Sequence, residues 1–330
     1  MRAAVIGLGW WGKMMVKSLT GNKKVTVTTG VDLAADRLDN FAGEYGIALT
    51  DDVEKVLADP KIDAIIITLP NSLHEPLTLK AAAAGKQVFC EKPLSLSVAS
   101  AKRMIEACEK AGVTLGIGHE RRWEPTMQEL KKRLDAGAIG KPLHVETNFS
   151  HSIFESLDDK SWRHDPKEAP AAGYTGRGIH LTDFFVWLFG PAKTVWAHTA
   201  GLAGGPAPVD TLSVHLTFRN GMTAQLGVLT TTPFYGRFTV FGDKGWLEAR
   251  EPSNAERKDP SELIISDAKS NKETIKHEKI NTVALNIEAW ADAVAGKAPY
   301  PITTEQMIAN MEIFEAIVQS SERGVAVDIL

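Results

Sequence analysis

The first residues whose spacing could do chemistry are three glycines near the start of the chain. Gly7, Gly9 and Gly12 follow the apolar run 3–6 and precede a helix-forming stretch, 13–19. In a strand–turn–helix unit the first glycine permits the tight turn, the second lets the backbone approach a pyrophosphate, and the third lets the helix pack on the strand. N–H groups at a helix start carry partial positive charge and bind phosphate. The pattern predicts a dinucleotide site rather than a purely structural turn.

A carboxylate stands where a dinucleotide site would need one. Asp32 ends the next apolar run, 25–31, and lies 20 residues after Gly12. It can accept hydrogen bonds from the ribose hydroxyls and repel a 2′-phosphate, which favours NAD. Arg37 follows closely enough in the sequence to reach such a phosphate, so NADP stays open as the less favoured cofactor.

Composition narrows the classes of function. The 330 residues are 44% hydrophobic and 24% charged, with a formal net charge of −4. We therefore expect two globular domains and no basic surface for nucleic acid. The apolar runs are too short to cross a bilayer, and the N-terminus leads directly into the first strand without a secretory signal. These features predict a cytoplasmic protein without a membrane or nucleic-acid partner.

Neither the cysteines nor the histidines of the polar segment predict a metal site. Cys90 and Cys108 cannot form a disulfide framework and lack metal-ligand spacing, so we expect buried, reduced thiols. His151 and His164 occur without regular ligand spacing. We predict no metal.

Strands and helices alternate in the first part of the chain, which predicts a doubly wound (Rossmann) parallel sheet. The predicted strands are the apolar runs 3–6, 25–31, 46–48, 63–68, 87–90 and 113–118. Ligands of such sheets bind beyond the carboxyl ends of the strands. Those ends carry the segments 7–12, 70–74, 91–93 and 119–122 together with Asp32.

The pattern changes after Trp123. Predicted helices at 127–135 and 179–189 flank a long polar loop, 150–175, and two more amphipathic helices are expected at 285–295 and 305–322. Closely spaced strands are predicted at 143–149, 194–199, 211–218, 222–230, 237–241, 245–248 and 263–265, and charged surface at 251–260 and 268–279. Asn220-Gly221 is a hairpin signal.

The predicted fold is α/β, with the Rossmann sheet in residues 1–122. Residues 123–330 are expected to form an α+β domain for substrate and oligomerisation, with a large, mainly antiparallel open sheet. Its C-terminal helices could pack back on the first domain.

By this point the motifs together resemble the glucose-fructose oxidoreductase / inositol dehydrogenase (Gfo/Idh/MocA) family of NAD(P)-dependent oxidoreductases. The resemblance covers nearly the whole chain. The segments that carry it are GLGWWG at 7–12, LPNSLH at 69–74, EKP at 91–93, HERRWEP at 119–125 and GIH at 178–180.

The resemblance implies a set of cofactor-binding residues. In this family the lysine of EKP, here Lys92, sits beside the nicotinamide, often ahead of a cis proline. His74 would shape the wall around the nicotinamide ribose, although a structural histidine in a helix-capping loop is the alternative. The full set of expected cofactor contacts is Gly7, Gly9, Trp10, Trp11, Gly12, Asp32, Arg37, Leu69, Pro70, Asn71, His74, Glu91 and Lys92.

The resemblance also implies two catalytic residues, Lys92 and His180. The implied reaction is hydride transfer between nicotinamide and a secondary hydroxyl or ketone of a sugar, cyclitol or related cyclic diol. Lys92 would polarise the substrate oxygen, and His180 would exchange the hydroxyl proton. The family commonly carries an aspartate four residues before this histidine, but Gly176 stands there. Tyr174, Arg177 and Asp183 are the candidates to orient His180 in its place.

Two other functions stay open. A dinucleotide-sensing regulator without turnover is permitted, because a repressor shares the family architecture and glycine at 176 removes the usual histidine partner. The second open function is chemistry on a glycosidic substrate through its transient oxidation.

The substrate pocket is expected to draw on residues near these motifs. Our hypothesis is that one or two arginines grip a carboxylate; surface or interdomain ion pairs are the alternative. His119 is equally open to a substrate contact or a structural hydrogen bond. The expected substrate-binding residues are His119, Arg121, Arg122, Trp123, Trp162, Arg163, Tyr174, Arg177 and His180.

The second domain has few helices to cover its sheet. Family members pair through that sheet, and the alternating apolar residues of 211–241 favour such a face. We therefore expect a homodimer or homotetramer.

Overall fold

The computed structural model describes residues 1–152, 161–171, 174–204, 209–251 and 259–329. The chain divides into two compact units, Met1–Glu120 with Asn281–Ile308, and Arg121–Ile280 with Ala309–Leu330. We call them the first and second units. The boundary predicted after residue 122 lies two positions beyond the division between Glu120 and Arg121.

The first unit holds a six-stranded parallel sheet in the order β3-β2-β1-β4-β5-β6. This confirms the predicted doubly wound fold, because the order reverses at β1. The strands are β1 (Arg2–Ile6), β2 (Thr26–Val31), β3 (Ala48–Thr50), β4 (Ala64–Ile67), β5 (Gln87–Cys90) and β6 (Leu115–Ile117). The helices of its main segment are α1 (Trp10–Ser18), α2 (Asp39–Tyr45), α3 (Val53–Ala58), α4 (His74–Ala83) and α5 (Val98–Ala111).

Burial on both faces explains why the central strands read as continuous apolar runs. All four residues of β4 are fully buried, as is most of β1. Helix α8 (Thr282–Val294) also belongs to this unit and packs against β5 and β6. Its Trp290 meets Phe89 edge-on at 5.5 Å and donates an indole hydrogen bond of 3.1 Å to the Thr114 carbonyl. A helix from near the C-terminus thus completes the core of the first unit.

The second unit is built on a nine-stranded, mainly antiparallel sheet in the order β14-β13-β12-β11-β7-β10-β9-β8-β15, as the sequence predicts. Among the described strands of this second sheet, only β7 and β10 pair in parallel. The strands are β7 (Pro142–Ser150), β8 (Ala192–Ala200), β9 (Thr211–Phe218), β10 (Thr223–Leu229), β11 (Tyr235–Gly242), β12 (Gly245–Glu251), β13 (Ser261–Asp267), β14 (Lys272–His277) and β15 (Val327–Asp328). The remaining helices are α6 (Pro125–Asp135), α7 (Gly178–Phe189) and α9 (Thr304–Arg323).

One face of this sheet packs on α7. Phe185 contacts Phe218 at 5.8 Å, and Phe184 contacts Phe238 at 5.6 Å, both edge-to-face between ring centroids. The helix is buried over most of its length because it is apolar nearly all round. Its N-terminal end carries His180.

The structure departs from the predicted elements in three places. The stretch 34–45, whose composition predicts one helix, forms a short 3-10 helix, Ala35–Arg37, followed by α2. The segment 268–279, expected as charged surface, contains the edge strand β14, and β15 was not predicted. Residues 153–160, 172–173 and 252–258, from the predicted loop 150–175 and the charged segment 251–260, lie outside the described residues.

In the part of the chain that the structure describes, every helix is too short or too polar for a bilayer crossing.

Candidate active site

The glycine-rich turn of the first unit forms an open cradle at the start of α1. Gly7 has a φ of +95°, and its N–H donates to the Val31 carbonyl at 2.8 Å. A side chain at Gly12 would run into the Gly7 carbonyl, whereas a Cβ at Gly9 would have no atom within 4 Å. Gly9, the N-cap residue of α1, carries no side chain that could cap the helix, so the helix start suits an anion.

Asp32 lies at the rim of this cradle. Its Oδ2 accepts the Leu8 N–H at 2.8 Å, and its Oδ1 accepts the Ala34 N–H at 3.0 Å. A carboxylate has about four acceptor positions, so both oxygens can still receive ribose hydroxyls. Arg37 is exposed at the end of the short 3-10 helix. The cradle and the carboxylate together fit a dinucleotide with a free ribose.

Thr68, which the sequence motifs did not indicate, stabilises the glycine-rich turn through its hydroxyl group. Its hydroxyl lies 2.6 Å from the Gly7 carbonyl and 3.0 Å from the Ile6 carbonyl. A threonine directly after a buried parallel strand is the only signal the sequence offered. The two aromatic residues of the turn lie beside it: Trp10 is 54% exposed, and its ring lies 5.4 Å from that of Trp11.

His74 ties together two loops at the carboxyl end of the sheet. One ring nitrogen lies 2.8 Å from the Pro93 carbonyl and the other 3.0 Å from the Leu69 carbonyl. The side chain is 1% exposed, and neighbouring Asn71 is 4% exposed. His74 therefore holds the segment Leu69-Pro70 and the EKP segment in register with each other.

Lys92 follows β5 and precedes a cis peptide bond to Pro93, as the family resemblance implied. Lys92 is half-buried, while Glu91 is 5% exposed and its carboxylate accepts the Lys92 N–H at 3.2 Å. Burial raises the pKa of Glu91, and the charge of Lys92 opposes that rise. Gly118 makes room for this carboxyl group, because a Cβ there would overlap it. No motif in the sequence pointed to Gly118.

The cysteines are confirmed as free and buried. Burial raises the pKa of Cys108 to about 12 and that of Cys90 well above its usual range, so both are inert thiols at neutral pH. Among the residues that the structure describes, no group of three or more His, Cys, Asp or Glu side chains could hold a metal.

In the second unit His180 occupies the first turn of α7 and is 5% exposed. Its N–H donates to the Arg177 carbonyl at 3.0 Å. The three side chains proposed to replace the absent aspartate have strong contacts of their own. Tyr174 hydrogen-bonds Thr182 at 2.6 Å and stacks on Phe314 at 5.5 Å.

Asp183 belongs to a buried ion pair. Arg122 donates to both oxygens of Asp183, at 2.8 and 2.7 Å, and both side chains are 3% exposed. Arg121 pairs with Glu251 and lies over the Phe149 ring at 4.4 Å. Arg121 and Arg122 therefore form ion pairs within the second unit, which is the alternative to binding a substrate carboxylate.

Arg177 and Arg163 have a different environment. Arg177 is 3% exposed, and its Nη2 donates to the His151 carbonyl at 2.8 Å. Arg163 is half-buried and lies over the neighbouring Trp162 ring at 4.3 Å. No Asp or Glu within the described ranges forms an ion pair with either. His119 is 2% exposed after β6, and Trp123 is half-buried at the end of the 3-10 helix Glu120–Trp123.

Comparison with known proteins relates the chain to one family. The family model described as "Oxidoreductase family, NAD-binding Rossmann fold" matches residues 1–119, and the Gfo/Idh/MocA C-terminal domain matches residues 127–248. The chain is 31% identical to scyllo-inositol 2-dehydrogenase (NAD(+)) of Bacillus subtilis, covering 100% of this chain and 96% of that one. It is 32% identical to myo-inositol 2-dehydrogenase of Thermotoga maritima, covering 76% and 75%.

The fold also has a solved counterpart. The aldose-aldose oxidoreductase from Caulobacter crescentus, crystallised with glycerol, superposes with a TM-score of 0.88 at 24% identity, covering 99% of each chain. At that identity the likeness concerns the fold alone. The two matched family regions span more than half of the sequence, so the chain is a member of the Gfo/Idh/MocA oxidoreductase family, and its first unit is the NAD-binding Rossmann domain.

Proposed function

We propose that this oxidoreductase interconverts a secondary hydroxyl and a ketone on a sugar, cyclitol or related cyclic diol. The observation that carries the proposal is the cradle at Gly7–Gly12 with Asp32 at its rim, on the same sheet edge as the loop of Lys92. The names of the two inositol dehydrogenases among its relatives support this substrate class. NAD, when bound, supplies the hydride acceptor or donor.

Lys92 is proposed to polarise the substrate oxygen. An ammonium group stabilises the negative charge that develops on the oxygen as the hydroxyl proton leaves, and the effect grows where water is excluded. The charge interaction with the Glu91 carboxylate favours the charged ammonium of Lys92, and half-burial restrains its side chain. A lysine suits this task because it concentrates one charge on three donors.

His180 is proposed to accept the hydroxyl proton during oxidation and return it during reduction. An imidazole is suited to this exchange near neutral pH. Support comes from its place in the first turn of α7, where backbone hydrogen bonding fixes the main chain. With Asp183 held by Arg122, we propose that His180 works without the aspartate that is usual in the family.

NAD is proposed as the preferred cofactor over NADP. Both oxygens of Asp32 are oriented by backbone N–H groups, so the carboxylate is held where a 2′-phosphate would be repelled. Arg37 is the residue that could offset this repulsion, and it is exposed. Replacement of Asp32 by glycine should therefore move the preference towards NADP.

The test follows reduced-nicotinamide absorbance with a panel of sugars and cyclitols. Lys92→Met should lower kcat by about a hundredfold or more, while NADH still quenches tryptophan fluorescence with a similar Kd. Lys80→Met is the matched control, because Lys80 forms an exposed ion pair with Glu54; it should leave kcat unchanged.

Two outcomes would count against the proposal. If the wild-type protein binds NADH but turns over no member of the panel, a dinucleotide-sensing regulator becomes the better account. If Lys92→Met keeps full kcat, the role of Lys92 is wrong even though the enzyme class stands.

A further inference from the structure

Arg177 is a buried cation that lacks a counter-charge among the described residues. It lies directly before α7 and is 3% exposed. Its Nη2 donates to the His151 carbonyl at 2.8 Å, but its Nε has no acceptor within the described ranges. Burial lowers the pKa of Arg177 to about 10, so the guanidinium stays charged at neutral pH. A buried charge with one carbonyl partner is costly unless something else pairs with it.

Among the described residues, the surroundings of Arg177 do not balance this charge. Arg121 also lies near His151, but its charge is neutralised by Glu251. His151 itself is uncharged at neutral pH, because burial and the charges of Arg177 and Arg121 lower its pKa to about 4. The described part of this cluster therefore carries one net positive charge, and that charge belongs to Arg177.

The other three arginines of the predicted pocket are not equivalent to Arg177. Arg122 is committed to Asp183 and Arg121 to Glu251. Arg163 is also without a carboxylate partner in the described ranges, and burial lowers its pKa, but its side chain is only half-buried and lies over the Trp162 ring. Of the four arginines, only Arg177 combines deep burial with a charge that is unmatched among the described residues.

The position of Arg177 connects it to the proposed chemistry. Arg177 is the residue that precedes α7, and His180 follows three positions later in the first turn. Among the described residues no side chain caps this helix, so its first N–H groups add to the positive potential beside the guanidinium. Arg177 offers the Nε side of a planar fork, which suits a carboxylate better than a hydroxyl.

We propose that Arg177 and the N-terminus of α7 form an anion subsite that binds a carboxylate of the substrate. The preferred substrate is then an acidic sugar or a carboxylated cyclic diol, and its neutral counterpart is a poor substrate. This inference rests on the proposed function, because it concerns the molecule whose hydroxyl is oxidised. The inference adds that the substrate carries a negative charge.

The experiment compares matched pairs of neutral and acidic compounds with NAD⁺: D-glucose with D-glucuronate, D-galactose with D-galacturonate, and myo-inositol with quinate. At least one acid should exceed its neutral partner in kcat/KM by about ten- to a hundredfold, the worth of a charge-assisted hydrogen bond. Arg177→Met should abolish that preference, mainly by raising KM for the acid.

Two controls separate recognition from folding. Arg219→Met removes an exposed arginine of the β9–β10 turn and should change neither preference nor melting temperature. Arg177→Met should melt at or above the wild-type temperature, because it removes an uncompensated buried charge. A lower melting temperature would mean that Arg177 serves the fold and would overturn the proposal.

A binding measurement keeps this inference separable from the proposed function. Calorimetry of the NADH complex with the same acids does not depend on turnover, and binding that Arg177→Met eliminates would support the subsite even if no compound reacts. The inference fails if no acid binds or is preferred, or if Arg177→Met weakens acidic and neutral compounds equally.

Discussion

Single residues of the first unit distinguish the needs of the fold from the needs of the cofactor. Gly12 serves the fold, because a side chain there would overlap the Gly7 carbonyl. Gly9 does not: its φ is −62°, and a Cβ would meet no atom within 4 Å. The space at Gly9 therefore has value only for a ligand that approaches the backbone.

This difference predicts the behaviour of Gly9→Ala. The variant should unfold at the wild-type temperature, while its Kd for NADH, measured by tryptophan quenching, rises by about tenfold or more, or 1.4 kcal/mol. The control is Gly43→Ala in α2, where a Cβ also meets nothing within 4 Å. It should keep the Kd and gain up to about 1 kcal/mol of stability. Unchanged NADH binding by Gly9→Ala would refute this assignment of the cradle.

Also at the scale of residues, the sequence indicates which residues belong to the cofactor site better than it indicates which side chains pair with each other. The glycine spacing and Asp32 were readable because the phosphate-binding turn is local, within about 30 residues. The pairing of Arg122 with Asp183 was not, because it joins residues 61 positions apart whose approach depends on the packing of the second unit. Four arginines looked alike in the sequence, and only their contacts divide them into paired and unmatched charges.

At the scale of elements, the Arg122–Asp183 pair joins the 3-10 helix Glu120–Trp123 to α7. Both side chains are 3% exposed, and the pair is bidentate. Such a pair adds little over apolar packing, but removal of one partner leaves a buried charge. The element that carries His180 therefore depends on a charge pair made by residues on two separate segments.

The predicted consequence is a strong asymmetry between single and double variants. Arg122→Met should lower the free energy of unfolding by about 3–5 kcal/mol, and Arg122→Met with Asp183→Leu should recover most of that loss. Urea unfolding measures both. Lys132→Met is the control, since Lys132 is exposed and its pair with Glu129 on α6 is worth about 0.5 kcal/mol. A single variant as stable as the control would show that the pair is not the link between these elements.

Helices and strands were predicted correctly where burial requires an apolar or periodic sequence. The strands of the parallel sheet were found because both of their faces are apolar. Strand β14 was missed because it lies at the sheet edge and carries charged, exposed residues, which is how edge strands avoid association. Periodicity also found the helix at α8, and the expectation that it could pack back on the first domain named no partner; the structure places it against β5 and β6.

At the scale of the whole molecule, the sheet of the second unit bears on how the chain associates. The apolar alternation in 211–241 first suggested an exposed apolar face, but that reason was wrong: Leu212, Val214 and Leu216 are buried within the unit. The opposite face of β9 presents polar residues such as Ser213 and His215. Beside His215 in register, β8 exposes Trp196, which stacks on His198 at 6.3 Å.

We therefore propose association through this mixed face, with Trp196 as its anchor. Trp196 is 43% exposed, and tryptophan is enriched among the residues that dominate binding energy in protein interfaces. The wild-type chain should sediment as a dimer or tetramer at micromolar concentration. Trp196→Glu should raise the dissociation constant by about thirtyfold or more, since a central anchor is worth about 2 kcal/mol.

Leu202→Glu provides the matched control, because Leu202 is 78% exposed and lies beyond the end of β8 rather than on the sheet. It should leave the sedimentation coefficient unchanged. A wild-type protein that sediments as a monomer at micromolar concentration would remove the sheet as an interface, and the exposed Trp196 would then need another explanation.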